Sequence, residues 1–257
     1  MKASAKIIFI ILLTLQFTGC DGSDKFTTDS KLGNVRFVVK LPDEMDLLPA
    51  GIMYRSDLCP NITLSSRGEK VTTPGFHYVK SDFLKSVDDT YLLPVNIDGG
   101  GKCKWKLSNA TINVKYKLSS FGNGVERSIG SGIIIVFDDN LPQRYDGQIN
   151  ALPSDFVIKK DYYPWINEKF LNGHVKQIWL YGDNLYSTYK CSNPKDKSIL
   201  FEPISHTDLI TYSTGPKIKI EGGDNYTVFK YPDGTIDFKG KDFPDFDKLQ
   251  SLSRKEN

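Results

Sequence analysis

Short runs of β-branched and aromatic residues, separated by Gly, Pro and Asp, fill most of this chain. VRFVVK at 35–40 stops at a Leu-Pro pair, and TINVKYK at 111–117 alternates apolar with polar residues. GIIIVF at 132–137 is continuously apolar. Alternation predicts a strand with one buried face, and a short apolar run favours a central strand. Because helical periodicity is sparse, the pattern predicts a mainly β, sandwich-like fold.

Turn-forming and polar segments divide the predicted strands. Tyr231-Pro232-Asp233-Gly234 between TVFK and TIDF predicts a tight hairpin. Residues 143–164 are richer in Pro, Asp and Gln, and they predict a connection between two small β lobes, 32–142 and 165–247. The polar tail at 248–257 is predicted to fray.

The first residues have the layout of a targeting signal. Lys2 and Lys6 precede an apolar run at 7–15. As a helix this run would span only about 14 Å, against roughly 30 Å of bilayer hydrocarbon. Residues 1–19 are therefore interpreted as a secretory signal peptide.

A cysteine stands where the apolar segment meets the polar one. Thr18-Gly19-Cys20 resembles the bacterial lipobox, although Phe17 replaces the usual Leu. The resemblance implies cleavage before Cys20, a diacylglycerol on its sulfur and an acyl group such as palmitate on its new amino terminus. Several acyl chains hold a protein firmly on a membrane, whereas one chain binds reversibly. The alternative is a plain signal peptide with a cysteine there by chance.

The polar stretch after Cys20 predicts a tether and a location. Residues 20–31 contain little to bury and are interpreted as the lipidated cysteine with a short flexible linker. Asp21 resembles the inner-membrane retention signal of enterobacterial lipoproteins. We therefore expect a lipoprotein that faces the periplasm, with the inner membrane favoured over the outer.

Three cysteines remain once Cys20 is assigned to lipid. An exported chain meets an oxidising compartment, in which disulfides persist. Cys59 and Cys103 both lie beside predicted strands in the same half of the chain, so we predict that they are bonded. Cys191 is then buried or free. Metal binding is the less favoured alternative, since there is no C-x-x-C and the three histidines are isolated.

The charge balance excludes one class of partner. The chain has 33 basic and 31 acidic residues, and loss of Lys2 and Lys6 leaves the two equal. Because no basic excess remains, nucleic acid is not expected as a partner.

Catalytic signatures are weak throughout the chain. Gly130-Ser131-Gly132 lacks the G-x-S-x-G spacing, and Ser187-Thr188-Tyr189-Lys190 matches S-x-x-K only by spacing within a predicted strand. Three glycines at 99–101 lack the P-loop pattern and favour a wide turn over a phosphate site. We therefore predict no catalytic residues, no metal site and no cofactor.

Two cysteine-containing motifs carry a family resemblance. Residues 53–59, MYRSDLC, and 99–109, GGGKCKWKLSN, together with the lipobox, are similar to those of enterobacterial lipoproteins encoded beside type VI secretion lipase effectors. The resemblance covers mainly residues 51–117. It implies an immunity protein that binds a phospholipase toxin in the periplasm and blocks it. The motifs contain no inhibitory residue that can be assigned.

The sequence leaves two non-enzymatic hypotheses. The first is the immunity protein, with a lipase toxin as protein partner and a lipid anchor in the membrane. The second is a cell-envelope module that binds sugar or another envelope component. Aromatic residues suit both functions. Tyr162, Tyr163 and Trp165 in the predicted connecting segment are the candidate exposed partner-binding residues, and packing in the protein core is the alternative for them.

Overall fold

The computed structural model of the chain describes residue 26 and residues 32–122, 124–139, 148–223, 225–238 and 240–254. The signal peptide, Cys20 and all of the tether except Phe26 lie outside the described residues, and so do residues 143–147 and 255–257. The lipidation prediction therefore remains a prediction.

The described chain is built almost wholly of β-strands, and one helix follows them. The strands are β1 Asn34–Lys40, β2 Met45–Leu47, β3 Ala50–Leu64, β4 Lys70–Ser81, β5 Leu84–Lys85, β6 Thr90–Asn96, β7 Asp98–Gly100, β8 Trp105–Tyr116, β9 Arg127–Ile129, β10 Ser131–Val136, β11 Ile149–Ala151, β12 Val157–Lys169, β13 Val175–Tyr181, β14 Tyr186–Lys190, β15 Ser198–Ser205, β16 Thr211–Thr214, β17 Val228–Lys230 and β18 Ile236–Asp237. A 3-10 turn covers Leu118–Ser120, and the helix α1 covers Phe246–Ser253.

The strands form two sheets. A ten-stranded sheet has the order β18-β17-β16-β12-β15-β1-β6-β5, with β13 pairing to β12 and to β9. An eight-stranded sheet has the order β11-β14-β10-β8-β3-β4, with β2 and β7 pairing to β8. The predicted mainly β, sandwich-like fold is confirmed.

The main core lies between the two sheets because each sheet alternates apolar and polar residues along its strands. Val35, Phe37 and Val39 of β1 are fully buried, and so are Ile112 and Val114 of β8. All five belong to one cluster of buried side chains. The alternation seen in the sequence therefore corresponds to one buried face for each sheet.

The sheets do not follow the predicted division into lobes along the chain. β1 of the predicted first lobe pairs in parallel with β15 of the second. β10 likewise pairs in parallel with β14. β12, which begins inside the predicted connecting segment, pairs with β13, β15 and β16. These long-range parallel pairings bring both halves of the chain into each sheet, so residues 32–142 and 165–247 are not separate units of strand pairing.

The predicted fraying tail is ordered over its described part. α1 begins after the N-cap Asp245, whose side chain accepts a hydrogen bond from the Lys248 backbone N–H at 3.1 Å. Leu249 is fully buried in a second apolar cluster, which also contains Tyr163 and Trp165. The prediction was wrong because Leu249, together with the partly buried Phe246 and Leu252, docks the helix on this cluster.

No helix among the described residues is both long and apolar enough to cross a membrane.

Candidate functional site

A two-stranded arm leaves the eight-stranded sheet at the β3–β4 hairpin. β8 pairs with β3 only from Gly51 to Arg55, whereas the β3–β4 ladder continues to Leu64 and Lys70. Residues 57–73 are therefore held by no third described strand. A two-stranded ribbon alone is at best marginally stable in water, so this arm depends on its attachment to the body of the protein.

The base of the arm is fastened by a disulfide and a buried serine. Cys59 and Cys103 are bonded, with 5.4 Å between their Cα atoms, which confirms the predicted pairing. The Ser56 hydroxyl donates to the Cys103 carbonyl and accepts the Leu58 and Cys59 N–H groups at 3.1 and 3.2 Å. The two motifs that carry the family resemblance are thus joined covalently at this point.

One side of the arm and of the adjoining sheet carries large apolar residues. Arg55 lies opposite Phe76, Met53 opposite Tyr78, and Ile62 opposite Thr72. Because side chains alternate along a strand, the even-numbered residues of β4 all lie on this side. The opposite side faces the core through Ile52 and Val79. We call the outer side the arm face and define it by Arg55, Ile62, Leu64, Lys70, Phe76, Tyr78 and Lys80.

The apolar side chains of the arm face are widely exposed. The exposed fraction is 64% for Ile62, 69% for Leu64, 56% for Phe76 and 52% for Tyr78. Phe76 and Tyr78 are neighbours on one side of β4, and Ile62 and Leu64 are neighbours on the same side of β3. Isolated exposed apolar residues are common on protein surfaces, but such pairs on one side of a hairpin are typical of an interaction site. The arm face therefore has the composition of a docking surface.

The charges of the arm face have one sign. Lys70, Arg55 and Lys80 are cationic, and the only carboxylate in the two strands is Asp57, which lies in the bulge at the base. Lys106 of β8 lies opposite Arg55 on its other side. An acidic partner surface would complement this arrangement.

Arg55 is buried without a polar partner. It is 9% exposed, and its Nε atom is buried with no hydrogen bond. No ion pair or hydrogen bond of its guanidinium occurs among the described residues. Since a buried N–H group without an acceptor is costly, a carboxylate or carbonyl oxygen from outside the chain would supply the partner that Arg55 Nε lacks.

The inner side of the arm base is packed by aromatic residues. The Phe26 ring stacks on His77 with 4.3 Å between ring centroids and meets Tyr54 edge-on at 4.7 Å. The Tyr54 hydroxyl donates to the Asn96 carbonyl at 2.7 Å, and burial raises the pKa of this tyrosine to about 12. The arm face is therefore carried on a rigid support. Phe26, predicted to lie in a flexible tether, is part of this packing.

The three residues predicted to bind a partner are not exposed. Tyr162, Tyr163 and Trp165 lie in β12, not in a loop, with at most 3% exposure. Burial also raises the pKa of Tyr162 far above its usual range. The prediction of exposure was wrong because the Pro- and Asp-rich composition before them ends at Val157, where a central strand begins.

The two weak catalytic motifs are structural. Ser131 is fully buried, and its hydroxyl donates to the Leu185 carbonyl. A Cβ on Gly132 would overlap the Ile112 carbonyl oxygen, so the glycine permits close pairing of β10 with β8. Ser187 is also buried, and it bonds Lys160 Nζ at 2.8 Å instead of Lys190. Neither serine is accessible to a substrate.

A separate pocket lies beside the end of β13. It has a volume of about 370 Å³, and Trp179, Tyr181, Phe243, Asp183 and Asn184 are among its lining residues. Aromatic walls with a few polar groups are common in small-molecule sites. Among the described residues, no group of His, Cys, Asp or Glu side chains has the arrangement of a metal site.

Comparison of the chain with protein-family models, with curated proteins and with solved structures found no match.

Sequence reasoning did not identify the arm face. Ile62, Leu64, Phe76 and Tyr78 have the same strand-forming character as buried residues elsewhere. Their exposure follows from tertiary structure: Ile62 and Leu64 lie in the part of β3 that has no third strand beside it, and Phe76 and Tyr78 lie on the edge strand β4. Between residues 51 and 81 the only carboxylates are those of Asp57 and Glu69. This composition indicates a cationic surface and is visible in the sequence.

Proposed function

We propose that this protein is a non-catalytic binding protein of the cell envelope that neutralises a type VI secretion phospholipase by docking it on the arm face. The observation that supports this most directly is the arm face, on which four large apolar side chains are exposed and Phe76 lies opposite Arg55, whose Nε has no acceptor.

The apolar side chains of the arm face offer part of the free energy of specific binding, which is about 12 kcal/mol at nanomolar affinity. Burying an exposed Ile, Leu or Phe side chain contributes about 1.5–3 kcal/mol, so four half-exposed side chains offer roughly 3–6 kcal/mol. A buried arginine beside aromatic residues is the composition of interface hot spots. The partner would cover these side chains and supply an acceptor for Arg55.

The sequence features add the biological setting. The predicted signal peptide and lipidated Cys20 support a position on a membrane, and the resemblance of residues 51–117 to lipase immunity lipoproteins covers β3 to β8. An anchor raises the concentration of an inhibitor at the membrane without adding contacts. A stoichiometric inhibitor needs no acid, base or nucleophile.

The test is a titration of phospholipase activity. The enzyme encoded by the open reading frame beside this gene is mixed with increasing amounts of the unlipidated chain that begins at residue 21. Stoichiometric docking predicts that activity reaches zero near equal molar amounts and does not depend on incubation time. Inhibition that grows with time at far lower amounts would indicate turnover, and no inhibition at large excess would refute the toxin partner.

Matched variants test the surface. Phe76→Ser with Tyr78→Ser should weaken inhibition at least tenfold, since both rings lie on the arm face. Ile236→Ser with Phe238→Ser is the control, because these side chains are equally exposed but lie in and just after β18 of the other sheet. Equal loss of inhibition in both variants would contradict the assignment of the arm face as the docking surface.

The pocket at Trp179, Tyr181 and Phe243 favours the alternative function, an envelope module that binds sugar. Aromatic rings stack on sugar faces, and Asn184 is an exposed amide beside them. If the phospholipase is not inhibited, titration of the chain with envelope sugars while tryptophan fluorescence is recorded decides this alternative.

A further inference from the structure

β4 forms one end of the eight-stranded sheet, and no described strand pairs with it on the side away from β3. We call this side of β4 the free edge. β4 is twelve residues long, whereas β5, β11 and β18 at the other ends of the two sheet paths have only two or three residues. Short edge strands protect a protein against pairing with another chain. Among these four ends, only β4 is long enough to be a template for a further strand.

Hydrogen bonds of the neighbouring strands show which residues of β4 face the free edge. The Asn113 carbonyl of β8 accepts the Leu48 N–H at 3.0 Å, on the side of β8 that faces β3. Because backbone groups alternate in direction along a strand, Thr111 also faces β3, where it lies opposite Gly51. Gly51 therefore bonds to β8, and its partner on β4, Lys80, directs its N–H and C=O groups to the free edge.

The tip of the arm has the same alternation. The Glu69 carbonyl accepts the Ser65 N–H across the hairpin at 2.8 Å, so Glu69 faces β3 and Lys70 faces the free edge. Pro74 fits this alternation, because a residue that faces the free edge needs no N–H group for the ladder. The N–H groups at the free edge are those of the other even-numbered residues of β4: Lys70, Thr72, Phe76, Tyr78 and Lys80.

The free edge runs along the arm face. Phe76, Tyr78 and Lys80 direct their backbone groups to the free edge and their side chains to the arm face. A strand that added beside them would have its own side chains about 5 Å away on the same side. Strand addition obtains affinity from main-chain hydrogen bonds and specificity from alternate side chains. The arm provides both at one place.

The charges of β4 determine which strand fits. The strand contains Lys70, His77 and Lys80 but no carboxylate. In an antiparallel pair of two copies centred on Gly75, Lys70 of each copy would lie opposite Lys80 of the other. Like charges directly opposite each other are destabilising, so a second copy of this chain is a poor partner. A strand with acidic residues at alternate positions would instead place a carboxylate beside each lysine.

We propose that the free edge accepts an extended acidic segment of a partner protein, which adds beside Phe76, Tyr78 and Lys80 as a further strand of the eight-stranded sheet. In the proposed function the partner is the phospholipase, and that part of the inference rests on the proposed function. The direction and the charge of the free edge do not depend on the identity of the partner. Loss of an N–H group from the free edge should therefore weaken binding even where the side chain has already been removed.

The experiment compares Tyr78→Pro with Tyr78→Ala in the unlipidated chain that begins at residue 21. Both variants lose the ring, but only proline removes the N–H group at the free edge. The dissociation constant of the phospholipase should be about fivefold higher for Tyr78→Pro than for Tyr78→Ala, which corresponds to one backbone hydrogen bond of about 1 kcal/mol. Thermal unfolding checks that both variants are folded. Lys80→Pro with Lys80→Ala repeats the comparison if Tyr78→Pro has a lower Tm than Tyr78→Ala.

A labelled synthetic peptide of alternating valine and glutamate tests the free edge without the phospholipase. Fluorescence polarisation should show that the wild type binds this peptide about tenfold more tightly than a peptide of alternating valine and lysine. Binding of the glutamate peptide should also be about fivefold weaker for each proline variant than for its alanine control.

The results distinguish this inference from the proposed function. If the phospholipase does not bind but the glutamate peptide binds and is weakened by proline, the edge site is supported and the toxin partner is refuted. Equal binding of the phospholipase by the folded proline and alanine variants would overturn strand addition and leave docking on the arm face intact. No binding of the glutamate peptide, or equal binding of the two peptides, would also overturn the acidic strand.

Discussion

Arg55 lies directly opposite Phe76 in the β3–β4 ladder, on the side of the sheet that faces away from the core. The arginine is buried and partnerless, whereas the phenylalanine is more than half exposed. A stable core would be expected to show the reverse. The proposed docking on the arm face would cover Phe76 and supply an acceptor for Arg55 Nε.

Arg55→Met should separate the effect of this residue on stability from its effect on binding. Methionine replaces much of the volume without a buried, unsatisfied Nε–H group, so the free energy of unfolding should stay unchanged or rise by about 1 kcal/mol. Inhibition of the phospholipase should weaken at least tenfold. Urea unfolding and the activity titration measure the two effects. A loss of stability above about 2 kcal/mol would mean that Arg55 supports the fold instead.

The Cys59–Cys103 disulfide should contribute most of the order at the base of the arm. It closes a loop with a sequence separation of 44 residues. The chain-entropy relation gives about 4 kcal/mol for such a loop. Cys59→Ser with Cys103→Ser should lower the free energy of unfolding by about this amount and expose residues 57–73 to proteolysis. Cys191→Ala is the control, since Cys191 is buried and forms no disulfide. In this variant the arm should remain resistant to proteolysis.

The cap of α1 should make stability depend on pH. The Lys248 N–H and the Lys241 ammonium hold the pKa of Asp245 below its ordinary value. The stabilisation is therefore complete above the unfolded pKa of about 4 and is lost as pH falls through the lower folded pKa. Asp245→Ala should cost about 1 kcal/mol at neutral pH and progressively less in acid.

Urea unfolding across pH checks the Asp245 prediction. Asp245→Asn keeps a capping oxygen that does not titrate, so it should retain most of the free energy of unfolding at neutral pH. Below the pKa of an aspartate, its free energy of unfolding should fall less steeply with pH than that of the wild type. A cost for Asp245→Ala that does not change with pH would contradict the role of the ionised carboxylate.

Gly132→Ala should destabilise the protein strongly. Its Cβ would overlap the Ile112 carbonyl across the β10–β8 ladder, so two central strands would have to separate. A loss of more than about 2 kcal/mol is expected, as for overpacking of a core. Ser131→Ala is the comparison, and it should leave phospholipase inhibition unchanged because the serine is structural. Loss of phospholipase inhibition in a folded Ser131→Ala variant would instead support a catalytic role for this serine.

The sequence was sufficient for local features, as particular residues show. The alternation in TINVKYK predicted the buried face of β8, and Tyr231 to Gly234 predicted the turn between β17 and β18. Cys59 and Cys103 were paired from their flanking strands. The strand and the turn depend on residues that are close together in the sequence. The disulfide depends on the reactivity of the cysteine thiol, which does not require a particular fold.

Tertiary structure alone decided which strands are neighbours and which apolar residues are covered. The pairing of β1 with β15 joins residues more than 150 positions apart, and no local pattern encodes it. Tyr162 and Phe76 have the same preference for strands, yet β12 lies within a sheet and β4 lies at an edge. Residue type sets the preference of a side chain to leave water, but burial depends on what the rest of the chain places above it. The sequence by itself therefore determined the β class, the turns and the disulfide, and the tertiary structure determined the arm face.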